Sequence, residues 1–230
     1  MEASMLRQRA RENLADNWGV SIGVAAVASL LGGLLVGVSF LPEISTSIEI
    51  PLLREFSLWL EEGLRLGDVT VNFKTGVFGF AAFLLGGVLQ LGYARFLLKQ
   101  HDRQNPEFND LFSEFDRFGT GFAQHFLCNL YTALWTILLI IPGIIASYSY
   151  AMTPFILAEH PELTASQAIT RSKEMMDGHK ADLFILDMTY LGWGILAALT
   201  LNIGNLWLNP YRNAAYATFY RQLQASNMYT

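Results

Sequence analysis

The chain has 230 residues, 52% of them hydrophobic but only 15% charged, where a soluble domain usually carries about 25%. A net charge of −5 with no basic stripe argues against nucleic acid as a partner, and the single cysteine, Cys128, excludes an internal disulfide. Residues 17–42, 75–94, 118–158 and 188–211 hold no Asp, Glu, Lys or Arg at all, and a membrane span needs about 20 mostly apolar residues. The expected fold class is therefore all-α: one integral membrane domain over residues 1–230, a polytopic transmembrane helical bundle of six spans with interfacial amphipathic helices.

Along the chain, Ala3, Leu6, Ala10 and Leu14 form a thin apolar stripe beside Arg7 and Arg11. The first span, 17–41, follows. Its length of about 25 residues exceeds a signal-peptide core, so it is read as retained. Gly19-Val20-Ser21-Ile22-Gly23 matches a nucleophile-elbow pattern. That pattern works only at a strand–turn–helix junction. Here it opens a helix, so Gly19 and Gly23, repeated at Gly33 and Gly37, are read as small residues that let helices approach. The segment 42–75 is the outer loop, with Leu52, Leu53, Phe56, Trp59, Leu60 and Leu64 on one helical face. Span two covers 76–98, with a similar notch at Ala82 and Gly86. In "PEFNDLFSEFDRF", Phe108, Leu111, Phe112, Phe115 and Phe118 recur at helical spacing with acidic residues opposite.

The uncharged run 118–158 would reach roughly 60 Å as one helix, about twice the hydrocarbon thickness. It is expected to break at Ile141-Pro142-Gly143 into spans 121–141 and 143–158, a tight hairpin around Pro142 and Gly143. Pro154, with Ser147, Ser149 and Thr153, marks a kink and a polar face on the fourth span. His160-Pro161 ends that span. Thr164 and Gln167 then have capping-box spacing and start an amphipathic helix. Its apolar face holds Ala168, Ile169, Ser172, Met175 and Met176, with Arg171, Lys173, Glu174 and Asp177 around it and Gly178 at its end. Spans 182–201 and 206–222 close the chain. The sixth is the weakest, because Arg212 lies inside it.

With the N-terminus inside, twelve Lys and Arg residues fall on cytoplasmic segments and three, Arg54, Arg65 and Lys74, on the outer loop. Positive-inside bias then puts both termini in the cytoplasm. An ionisable residue at membrane depth is a functional candidate that needs a partner. Asp187 and Arg212 are therefore expected as an intramembrane pair, either in direct contact or through one intervening polar group such as Tyr190 or Tyr216. His101, His125, His160 and His179 lack paired metal spacing, and no phosphate loop or dinucleotide fingerprint appears. No metal, cofactor or catalytic residue is expected, and the chain is not read as an enzyme.

"LLIIPGIIASYSYAMTPFILAEHPELTASQAITRSKEMMDGHK" and "DLFILDMTYLGWGILAALTLNIGNLWLNPYRNAAYATFYRQL" resemble an uncharacterised bacterial integral membrane family, the domain of unknown function numbered nine-seven-five. "RARENLADNWG" resembles its N-terminal signature, so the likeness runs over most of the chain outside the outer loop. The chain is more distantly similar to the membrane domain of some glycerophosphodiester phosphodiesterases, which share the Pro-Gly hairpin and an A-x-x-R-S helix, here Ala168 to Ser172. The resemblance implies a bacterial cytoplasmic membrane protein and brings no reaction or ligand. Two functions remain open. One is a non-enzymatic membrane module that organises lipids, anionic lipids among them, or a membrane protein partner. The other is a small-molecule or lipid transporter or channel.

Overall fold

The computed structural model describes residues 3–15, 17–31, 73–200 and 204–227, and among these it is helical throughout, with no strand. The helices are α1 (Ala3–Leu14), α2 (Trp18–Leu31), α3 (Phe73–His101), α4 (Phe118–Leu138), α5 (Ile140–Tyr150), α6 (Thr153–Glu159), α7 (Ala165–Met175), α8 (Lys180–Leu199) and α9 (Asn205–Asn227). Gly33, Gly37 and most of the expected outer loop lie outside the described residues.

The core gathers side chains from both ends of the chain. Leu6 and Leu14 of α1 are fully covered, as are Phe96 of α3, Ile156 of α6 and Phe219 of α9. Burial of such side chains stabilises by roughly 1.5–3 kcal/mol each. The stripe Leu6, Ala10 and Leu14 lays α1 along α9, and the Tyr211 hydroxyl donates to the Arg7 carbonyl at 3.2 Å. On α2, Ser21 accepts a buried 2.7 Å hydrogen bond from the Gln100 amide of α3. The hydroxyl of the apparent elbow motif is thus a structural contact.

Two expectations need correction. The hairpin breaks at Leu139, whose φ of −159° and ψ of 138° are extended, and not at 141–143. Pro142 stands in the first turn of α5, where a helix has no use for its missing N–H. The break must therefore come before the proline. Gly143 then packs directly under Thr136, where an added Cβ would lie 2.1 Å from the threonine hydroxyl. The aromatic stripe after His101 is not one amphipathic α-helix but two 3-10 turns, Phe108–Phe112 and Phe115–Arg117. Its Asp110 and Glu114 are buried against α3 and do not face water. The expected kink of the fourth span does fall beside Pro154, at Ala151-Met152, with Pro154 in the first turn of α6.

One helical run among the described residues, Ile140–Glu159, is long and apolar enough to cross a membrane, with mean hydropathy 1.4 and 61% of its window buried inside the protein. Trp18–Ala28 is a shorter apolar helix, and the first, second and fifth expected spans lie only partly within the described residues. Gln124, His125 and Asn129 dilute α4. Pro210 lies inside α9 and removes only the hydrogen bond to the Leu206 carbonyl, so the helix continues.

Close helix approach falls at glycines other than the expected pair. A Cβ added at Gly19 or Gly23 would meet no described atom within 4 Å. At Gly87 it would lie 2.2 Å from the Gly121 carbonyl oxygen, and at Gly92 2.0 Å from that of Leu111. Backbone cannot yield as a flexible side chain can. Gly87→Ala and Gly92→Ala should each destabilise by about 1–3 kcal/mol or more, whereas Gly19→Ala should be neutral or slightly stabilising. Thermal unfolding in detergent checks this, and equal midpoints for all three would contradict the packing.

Candidate functional site: a tyrosine-bound aspartate and a charged end

Asp187 sits half-buried on the second turn of α8, where α5 and α9 converge on it. The Tyr216 hydroxyl of α9 donates to its Oδ1 and Oδ2 at 2.8 and 2.7 Å. The Tyr148 hydroxyl of α5 donates to Oδ2 at 3.0 Å. Arg212 lies one turn before Tyr216 on α9 and makes contacts of its own. Tyr216, one of the two intervening groups expected, thus binds Asp187 directly. The aromatic surround continues with Tyr190, edge-on to Tyr211 at 5.3 Å between ring centres, and with Tyr93, which accepts from the Asn213 amide at 3.5 Å. Hydrogen bonds to a carboxylate from two O–H donors suit a region with little water, where an unpartnered charge is costly.

The second constellation gathers charges at one end of the bundle. Arg95 of α3 and Arg117 of the second 3-10 turn both bind Glu114, which is 1% exposed; the Arg117 contact is 2.9 Å. Arg117 also donates to the Leu157 carbonyl of α6 at 3.1 Å. Lys99 binds Asp110 at 2.5 Å. Arg221 of α9 donates to Glu159 at 2.5 Å and grips Asp102 with Nε at 3.1 Å and with Nη2. Glu159 further accepts from the Tyr220 hydroxyl at 2.7 Å and from the Gln224 amide. Burial alone would raise the Glu159 carboxyl above its ordinary value of 4.5, but the bonds from Tyr220, Arg221 and Gln224, with the Arg221 charge, hold it below.

The capped helix α7 lies against the bundle. Thr164 accepts from the Gln167 N–H at 3.4 Å, and Gln167 accepts from the Thr164 N–H at 2.9 Å. Ala168, Ile169, Ser172 and Met175 are buried, while Arg171 points out. The Ser172 hydroxyl donates to the Ser149 carbonyl at 2.8 Å, and Lys173 lies over the Tyr150 ring at 5.7 Å. Carbonyls in the last turn of a helix lack intrahelical partners, so Ser172 and Lys173 together close the end of α5. Gly178, at φ 76°, turns the chain into α8.

Sequence reasoning missed Tyr148 and the ion pairs of the charged end. A signal for the latter was present. Arg95 and Lys99 are four apart, as are Asp110 and Glu114, which is the periodicity of two elements packed in opposite directions. Among the described residues no cluster of His, Cys, Asp and Glu suits a metal.

The class these features define is an all-helical bundle with an apolar core, a few buried and hydrogen-bonded polar groups, and exposed apolar side chains on α4, α5 and α8. Within it, residues 136–227 match the model of a family described as "Protein of unknown function (DUF975)". That match takes in the hairpin, α7, Asp187 and Arg212 and supports likeness to an uncharacterised family; it does not extend to the N-terminal "RARENLADNWG". No curated protein and no solved structure matches the chain.

Two outcomes follow from the geometry. Tyr216→Phe and Asp187→Asn should each cost about 1.5–3 kcal/mol, and the double variant clearly less than their sum. Additive losses in detergent unfolding would mean that the two side chains are not coupled. For Glu159, a lowered carboxyl contributes stability that is fully present above its unfolded value of 4.5 and is lost as pH falls through the lower folded value. Unfolding midpoints measured from neutral pH down to about pH 3 should fall more steeply for the native chain than for Glu159→Gln.

Proposed function

We propose that the chain is an integral module of the bacterial cytoplasmic membrane, crossing it six times with both termini inside, and that it organises lipids or a partner protein without chemistry of its own. The observation that carries this reading is the exposed apolar surface. Ile137, Leu138, Ile140 and Ile141 at the tip of the α4–α5 hairpin are 67–84% exposed. Ile185, Met188, Trp193, Ile195 and Leu196 continue it along α8. Soluble monomers rarely expose contiguous apolar patches of more than a few hundred Å². The charges, by contrast, collect where α3, α6 and α9 end. A hydrocarbon solvent around the middle of the bundle accounts for both facts.

The module reading is favoured over transport by what the polar residues of the fourth expected span do. The Ser147 and Ser149 hydroxyls return to carbonyls of their own helix, at Ile144 and Ile145. The described cavity is lined by residues of α1, α8 and α9. The resemblance to the membrane domain of glycerophosphodiester phosphodiesterases belongs to the same proposal, as a likeness of membrane architecture.

Single-cysteine labelling on a Cys128→Ala background tests the arrangement. Glu61→Cys should react with an impermeant thiol reagent in intact cells, and Glu174→Cys only after permeabilisation. The reverse pattern inverts the orientation, and equal reactivity of both in intact cells rejects the six-span topology.

A further inference from the structure

We propose that the outward face of α4 is the interface between two copies of this chain, joined at Asn129. The proposal rests on the membrane reading above and names the partner protein. Phe126, Asn129, Leu130, Ala133 and Ile137 recur at i, i+3, i+4, i+7 and i+11, which places them on one side of the helix. All five are exposed. On its other sides α4 is already packed. Gly121 and His125 face α3, and the Tyr131 ring lies 6.2 Å from that of Tyr150 on α5.

One residue of the outward face does not suit lipid. Asn129 lies about 12 Å into the expected span 121–141, near the middle of a hydrocarbon layer about 30 Å thick. Its amide donates to the His125 carbonyl at 2.7 Å, which uses one of its two N–H groups. Among the described residues nothing bonds its Oδ1 or its second N–H. Thr136 on the same helix differs, because its single O–H is taken up by the Thr132 carbonyl at 2.8 Å. Acyl chains offer an amide no hydrogen bond, and an unmet polar group among them is costly. By contrast, Ile185, Met188, Ile195 and Leu196 on the outward face of α8 need nothing beyond lipid.

The chemistry of the amide selects the partner. It is donor and acceptor at once, so a second Asn129 completes it in both directions. Two copies inserted with the same orientation carry Asn129 at the same depth. A two-fold axis along the membrane normal then pairs the two α4 helices in parallel, each amide donating its second N–H to the other's Oδ1. Ala133, one turn further on, leaves room for the backbones to approach. Phe126, Leu130 and Ile137 make the apolar contacts above and below. A lone asparagine in such a seam fixes its register.

The test reads dimerisation of the full chain in two ways. Sedimentation equilibrium in mild detergent should show a dimer whose dissociation constant rises about tenfold in Asn129→Leu. Ala133→Phe keeps the amide and should also weaken the dimer, by obstructing the close approach, which covers an Asn129 variant that does not fold. In membranes treated with copper phenanthroline as oxidant, Ala133→Cys on a Cys128→Ala background should cross-link to a dimer. Ile185→Cys on the same background should stay monomeric. A native chain that is monomeric throughout, or equal dissociation constants for it and Asn129→Leu, would overturn the interface. Equal cross-linking of the Ala133→Cys and Ile185→Cys variants would reduce the effect to random collision and overturn it too. A cross-link from Ala133→Cys to a protein of another mass would overturn it in favour of a different partner. Alkaline carbonate extraction separates the two levels of the proposal. Release of the chain from membranes defeats the membrane reading, whereas a retained chain that stays monomeric defeats only the interface.

Discussion

Arg221 ties the ends of three helices that are far apart in the chain. Its guanidinium holds Asp102 at the end of α3 and Glu159 at the end of α6, which are 119 and 62 residues away. A charge in an apolar bundle is tolerable only when it is paired and its remaining hydrogen-bond capacity is filled. Glu159 meets that condition through Tyr220 and Gln224 as well, and Glu114 meets it between two arginines. Glu114, buried between its two arginines, would be stranded as a charge in any other arrangement, whereas the partly exposed bridges of Arg221 add a weaker tie. The aliphatic and aromatic core beneath supplies the bulk of the stabilisation.

The same condition explains the inner cluster. Asp187 stands apart from that charged end, on a helix whose outward face is Ile, Met and Leu. Two tyrosine hydroxyls satisfy it while their rings present apolar surface to the surroundings. Tyrosine serves where an arginine alone would bring a second charge to be solvated.

Packing gives α1 a place that its charge alone did not suggest. A short basic helix is readily pictured as a loose arm on a membrane surface. Leu6, Ala10 and Leu14 are instead fully enclosed, and the helix lies along α9 beside Tyr211. The Arg11 guanidinium consequently lies 6.0 Å from the centre of the Tyr211 ring.

The sequence alone determined the all-helical class, the capped helix after Pro161, the apolar stripes and the singular status of Asp187 and Arg212. These depend on local chemistry: helical periodicity, cap residues, and the rarity of charge in an apolar run. Its reach ended where the answer depended on neighbours. Pro142 announced a break but not its position, which the free N–H groups of a first helical turn moved back to Leu139. Gly19 and Gly23 carried the spacing of a packing notch, yet the backbones that touch are those of Gly87 with Gly121 and Gly92 with Leu111. The acidic residues of "PEFNDLFSEFDRF" looked like a solvated face until α3 supplied Arg95 and Lys99. In each case the local pattern specified what a residue is able to do, and only the tertiary structure decided which partner stood within reach.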